Sequence, residues 1–217
     1  MDTAEELFAE RGLDGVSLRE INTVAGYSAA ALHYHFETRD GLVRALLARA
    51  QPPMFADREA AFERLKSLEA VTPVDVVNAL VRPLAVGMDT QPHESARHLR
   101  FLSRLYFDRS PYMRGVFEES FALFLPFLKR ALPGLDEPTI HQRWVFAVEL
   151  AQHALGHAVE MSVSGNIRGQ RPARALENYL QGLVRFIVGG LSEECSVGGP
   201  ARRRKAGATS STVSTRR

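Results

Sequence analysis

Glu149, His153 and His157 recur at i, i+4 and i+8 along one apolar run. On an α-helix that spacing puts a carboxylate and two imidazoles on a shared face, a donor set that could hold a transition metal. The chemistry implied would be that of an all-α metal-dependent enzyme. The same spacing equally serves a hydrogen-bonded ion pair, within the helix or across two subunits. No glycine-rich phosphate loop and no nucleophile–base pair accompanies the three residues, so no further enzymatic reading arises and no cofactor is expected.

A second chemical signal lies between residues 94 and 108. At about 100° per residue, Arg97, Arg100 and Arg104 fall on one narrow stripe, with His98, Leu99, Phe101, Leu102, Leu105 and Tyr106 on the broad opposite arc. The arginines are expected to be solvated or paired at the surface. His98 reads either as a core histidine bonded to a backbone carbonyl or as a polar contact to a ligand head group. Phe117, Phe121, Phe124 and Phe127 follow at helical spacing, with Trp144 and Phe146 beyond. They supply either packed core or the wall of an apolar cavity. His98, Phe101, Tyr106, Phe117, Phe121 and Trp144 are therefore the candidate contacts for a small, lipophilic effector.

The third signal is "SLREINTVAGYSAAALHYHFETRDGL", residues 17–42. Ser17 and Glu20 have the spacing of a capping box, and Val16 and Ile21 that of a hydrophobic staple. Gly26 can supply the left-handed residue that ends the first helix. Ser28 caps a second helix, with Tyr27 and Leu32 spaced as another staple, and Thr38 caps a third. Two short helices joined by a glycine-containing turn make a helix-turn-helix, with Leu18, Ile21, Val24, Leu32 and Phe36 as its core. The exposed positions are then Ala29, Ala30, His33 and Tyr34, with His35 at the helix end. In such a motif this surface enters the DNA major groove. Alanines permit close approach to bases, while the imidazoles, the phenol and Arg39 suit phosphate oxygens.

These residues carry a resemblance. "AEELFAERGLDGVSLREINTVAGYSAAALHYHFETRDGLVRALL" resembles the DNA-binding region of the TetR family of bacterial transcriptional regulators. The likeness runs nearly continuously over the first 47 residues, from Phe8-x-x-x-Gly12 through the Ser17 cap and Ala25-Gly26-x-Ser28 to the aromatic-His-Phe close at Phe36. It implies a dimer that reads a palindromic double-stranded operator. Ser17 and Arg19 would face phosphate or groove, Ala29, Ala30 and Ala31 would line base edges, and Tyr34, His35 and Arg39 would hold the backbone. The family pattern commonly has Tyr where this chain has His33. Family members usually begin several residues earlier with a basic segment, so this chain is expected to open inside the first helix. A fainter likeness to members that respond to fatty acyl compounds runs from "RFLSRLYFDRSPYMRGVFEESF" to "HQRWVFAVELAQHALGHA".

The elements needed to position these residues are all helical. Apolar residues at i, i+3, i+4 and i+7 recur through the chain, and strand-like alternation does not. Breaks are expected at residues 12–15, Gly26, Pro52-Pro53, Thr72-Pro73, Pro92, Ser110-Pro111, Pro133-Gly134 and 164–172. The reading is an all-α protein. Its parts are a three-helix DNA-binding domain over 1–49, a ligand-binding and dimerisation domain over 50–191, and a disordered basic tail over 192–217. Small residues in "AQHALGHA" permit close helix approach. With the apolar series Leu176, Tyr179, Leu180, Leu183 and Ile187, plus His153 and His157, they are expected to build a four-helix homodimer interface.

Composition sets limits on this reading. The single cysteine, Cys195, excludes an intrachain disulfide framework, and no apolar run reaches the length of a membrane span. The acidic, amphipathic opening lacks a signal-peptide pattern, so a soluble cytoplasmic protein with no membrane partner is expected. Residues 1–49 carry five Arg against eight acids, whereas residues 200–217 carry five Arg and one Lys with no acid. The basic excess therefore sits in the tail rather than in the reading head.

Overall fold

The computed structural model describes residues 1–27, 36, 38–49, 51–164 and 172–193. In chain order its elements are α1 (Asp2–Arg11), α2 (Leu18–Val24), α3 (Arg39–Arg49), α4 (Gln51–Ser67), α5 (Pro73–Leu84), α6 (Pro92–Phe107), a 3-10 turn (Pro111–Met113), α7 (Val116–Ala131), α8 (Glu137–Gly156), α9 (Ala158–Ser164) and α10 (Pro172–Ser192). Every described element is helical, as the sequence pattern predicts. No described helix is long and apolar enough to cross a membrane.

The helix boundaries follow from local chemistry. Ser17 accepts the Glu20 backbone N–H at 3.1 Å and starts α2, while Thr38 accepts the Gly41 N–H at 3.1 Å and starts α3. Thr72 and Asp75 form a full capping box ahead of α5, and Asp136 caps α8 through the Thr139 N–H at 3.0 Å. Gly26 adopts φ 72°, the left-handed conformation expected just past α2.

Two expected boundaries differ. Pro52 and Pro53 do not break the chain but lie in the first turn of α4, where a missing N–H leaves no helical bond unmade. The apolar run carrying Glu149, His153 and His157, expected as one helix, breaks at His157, which ends α8 before α9 begins. The expectations for the tail from residue 194 onward lie outside the described residues.

Two apolar cores result, and α6 contributes to both. Ala4, Phe8, Val16, Ile21, Leu42, Val43 and Leu46 of the N-terminal helices enclose Phe101 and Leu105 of α6. Ala96 and Leu99 of the same helix join a larger core with α5, α7, α8 and α10, centred on Phe124, Ile140, Trp144 and Leu155. Complete burial of a side chain such as Phe101 stabilises the fold by roughly 1.5–3 kcal/mol. The N-terminal head is thus seated on α6 by apolar contact before any polar contact is considered.

Candidate nucleic-acid interface

The head is braced from its loops outward. Arg11, in the last turn of α1, donates to the Gly15 carbonyl at 2.7 Å and pairs with Glu20 in the first turn of α2. Arg39 at the start of α3 donates to the Val16 carbonyl and lies 3.9 Å from Asp14. Gly12 ends α1 at φ 74°, and a Cβ there would come within 2.7 Å of the Asp108 carboxylate at the end of α6. The positive φ demands glycine at this point, whereas the close atoms are the movable ends of the Asp108 and Arg104 side chains.

Ser17 and Arg19 are exposed on α2, as a DNA-facing role requires. Ser28, Ala29, Ala30, Ala31, His33, Tyr34 and His35 lie outside the described residues. Arg39 is committed to the Val16 carbonyl, so its structural contribution is to fix α3 against the α1–α2 loop. Of the core expected for the motif, Ile21 is buried, while Leu18 and Phe36 are partly buried against the head core. Val24 is 60% exposed and Tyr27 69%, so Val24 is not core and the Tyr27 ring stands at the surface; Leu32, expected in the core and as the staple partner of Tyr27, lies outside the described residues. Their apolar type disguised two outward positions beside the turn.

A polar seam joins this head to α6. Glu5 is fully buried; its carboxylate accepts from Arg97 Nε at 2.9 Å and from His98 Nδ1 at 2.6 Å. Burial alone would raise the Glu5 pKa, but the bonds from His98 and Arg97 outweigh it and hold the carboxyl below its ordinary value. Asp2 lies 3.1 Å from Arg97 and also pairs with Arg49, which reaches on to Glu94. Arg100 donates to Glu6 at 3.3 Å and to the Gly156 carbonyl at 3.1 Å. Arg97 and Arg100 of the α6 stripe are therefore drawn into an internal seam, Arg104 is paired with Asp108 at the surface as expected, and His98 bonds to a carboxylate rather than to a backbone carbonyl. A second link comes from Tyr112, whose hydroxyl donates to Asp40 of α3 at 2.8 Å beneath the Arg44 guanidinium.

The six candidate effector contacts fall into three groups. His98 and Phe101 lie on the head seam, and the Phe101 ring is 6.3 Å from that of Phe8. Trp144 is fully buried against Phe124. Phe117 and Phe121 pack edge-on to His141. Tyr106, its ring 6.1 Å from that of Phe117, also lines an open cleft of about 550 Å³ between α1, α6 and α8.

The dimer candidates also divide. Leu180, Leu183 and Ile187 are buried in the subunit's own core, Leu176 is partly buried against it, and Tyr179 donates its hydroxyl to the Ala154 carbonyl at 2.8 Å. The open face of α10 carries Phe186, 72% exposed, and a neighbouring face of α8 carries Phe146. The small residue of "AQHALGHA" that permits close approach is Gly156, whose partner is Arg100 of α6 in the same chain. The His153 and His157 rings lie 4.6 Å apart and tilted by 36°, with His157 Nδ1 donating to the His153 carbonyl. Among the described residues no group of three His, Cys, Asp or Glu is arranged to hold a metal ion, which removes support for the metalloenzyme alternative.

The sequence agrees with the architecture. Residues 1–46 match the family profile of bacterial regulatory proteins, tetR family. Residues 78–190, more than half of the chain, match that of the tetracyclin repressor-like C-terminal domain. The chain belongs to the TetR family. A relative, the HTH-type transcriptional repressor KstR2 of Rhodococcus jostii (strain RHA1), is 30% identical over 125 residues. That match takes in 54% of this chain and covers 61% of the repressor's length. The seam from Glu5 to Arg97 and His98 thus connects the TetR-type head to the TetR-type C-terminal domain.

Proposed function

We propose that this TetR-family regulator acts as a homodimeric, sequence-specific repressor that a small, lipophilic effector releases from a palindromic operator. The observation that carries the reading is the capped α2 in a head tied by buried charges to α6 of the C-terminal region. The head would comprise residues 1–49, the effector and dimer region residues 50–191, and the basic tail residues 192–217. Ser17 and Arg19, with Ser28, Ala29, Ala30, Ala31, His33, Tyr34 and His35, would meet DNA, and Arg39 would act mainly by holding the head together.

Dimerisation would use the open apolar surface of α8 and α10, centred on Phe146 and Phe186, with His153 at its edge. An effector can shift DNA affinity only by binding one head arrangement better than the other. A head fixed to α6 gives such a difference a route to the DNA. Footprinting of the DNA flanking its own gene tests the proposal. The expected result is two protected half-sites about one helical turn apart. Protection no stronger than on random DNA would overturn it.

A further inference from the structure

The cleft lined by Tyr106 is bounded by Ala9 and Glu10 of α1, by Arg100, Ser103, Arg104 and Phe107 of α6, and by Glu149, Gln152, His153, Gly156 and His157 along and just past α8. Its walls are mainly carbon, and the Phe107 ring stands 82% exposed at its mouth. Its cations are already engaged: Arg100 by Glu6 and the Gly156 carbonyl, and Arg104 by Asp108 at 2.8 Å. Its carboxylates, Glu10 and Glu149, have no partner among the described residues, and both are exposed. Ser103 Oγ and Gln152 Oε1 in the wall are buried without a hydrogen-bond partner. Burial raises the Tyr106 pKa first, and the negative charges of Glu149 and Glu118 raise it further, consistent with a negative potential at the cleft.

We infer that this cleft is an effector site for an apolar amine. The ammonium would sit between Glu149 and the aromatic faces of Tyr106 and Phe107, with its hydrocarbon body along α6. A cation over aromatic rings beside an unpaired carboxylate is attracted by both, and an apolar wall shelters the pair from water. The buried acceptor Gln152 Oε1 needs an N–H donor, which a primary amine supplies after a small side-chain rotation. Because Ala9 and Glu10 form one wall, the occupant would press directly on the helix that carries Glu5. The inference rests on the effector-responsive reading above and adds its location and ligand class.

The test is fluorescence titration of the full-length protein with three probes that share one ring system: 1-pyrenemethylamine, 1-pyrenemethanol and 1-pyreneacetate. The amine should bind at least about tenfold more tightly than the alcohol or the acetate. Glu149→Gln should abolish that preference while the alcohol still binds, and Phe107→Ala should weaken the amine several-fold. Both positions are exposed, so neither change threatens the fold. Equal or tighter binding of the acetate, as the likeness to fatty-acyl-responsive members would suggest, overturns the inference. So does amine binding that ignores both substitutions.

Own-promoter DNA supplies the separate readout. Amine binding in the cleft with unchanged DNA affinity would support the site but count against effector response. Release of that DNA by another compound, with no amine bound in the cleft, would overturn the site and leave effector response standing.

Discussion

The two seams that flank the regulatory core are built from different materials. Along α10, Leu180, Leu183, Val184, Ile187 and Leu191 pack against α5 and α8, with the Arg82–Glu177 pair at 2.7–2.8 Å on the partly exposed edge. Between α1 and α6, Phe8, Phe101 and Leu105 pack beside a chain of charges running Glu94–Arg49–Asp2–Arg97–Glu5–His98. Apolar contact is non-directional and sets stability, whereas hydrogen-bonded charge pairs demand one geometry. The α10 seam therefore holds the subunit together, and the α1–α6 seam fixes where the head points. Glu5 is central because its carboxylate meets two donors with almost no solvent access.

The largest expected effect comes from Leu183→Glu. It places a carboxylate in the subunit's own core and should cost about 4 kcal/mol, a Tm loss of roughly 8–16 °C for a chain of this size. Calorimetry checks it. A folded, stable monomer would instead mean that Leu183 faces a second subunit.

Glu5→Ala should come next. It leaves Arg97 and His98 without their shared acceptor and should cost about 3 kcal/mol, near the lower end for breaking a buried pair. Denaturant unfolding would show whether the cost is that large; a change under about 0.5 kcal/mol would mean that the pair is only a surface contact.

Acid should act on the same groups. The folded pKa values of Glu5 and Asp2 lie below the ordinary 4.5 and 3.8. Their pairs thus contribute full stability above those ordinary values and lose it as the pH falls through the lowered folded ones. Glu177, held at about 2 by Arg82 and Gln181, follows the same sign, but its exposure makes its share small. The Tm should be insensitive to these carboxylates from pH 8 to 5 and fall below about pH 4.5, with a shallower fall in Glu5→Gln. Identical acid slopes in the two proteins would contradict the role given to Glu5.

Phe186→Ser should leave stability within about 0.5 kcal/mol, because the ring is mostly exposed in the subunit. On the proposed dimer face it should nevertheless weaken self-association by about tenfold or more, a size typical of an aromatic interface anchor. Sedimentation at several concentrations separates the two effects. Unchanged self-association would move the contact elsewhere.

These contrasts mark what was legible in the sequence. The Ser17 and Thr38 caps and the Gly26 turn are local chemistry, written within three or four residues, so the order of helices could be read directly. The partner of His98 could not be read in this way, because Glu5 lies 93 residues away and only tertiary packing brings them together. The apolar arc of α10 could be read, but an arc does not say whether it meets its own subunit or another. Phe186, isolated among polar and glycine positions on the opposite face, was the available hint. Tyr27 and Val24 misled for a related reason: apolar type predicted burial at two positions that point outward.

The most direct measurement of the central claim compares Glu5→Gln with the unaltered protein on operator and on random DNA. Gln keeps the shape of the side chain but removes the charge that fixes the head on α6. Specific binding needs both heads of a dimer in register, whereas each head can meet phosphates alone. Operator affinity should fall about tenfold, roughly 1.4 kcal/mol, while affinity for random DNA and the strength of any self-association remain unchanged. Equal affinities for the two proteins on the operator would show that the Glu5 seam does not position the reading head.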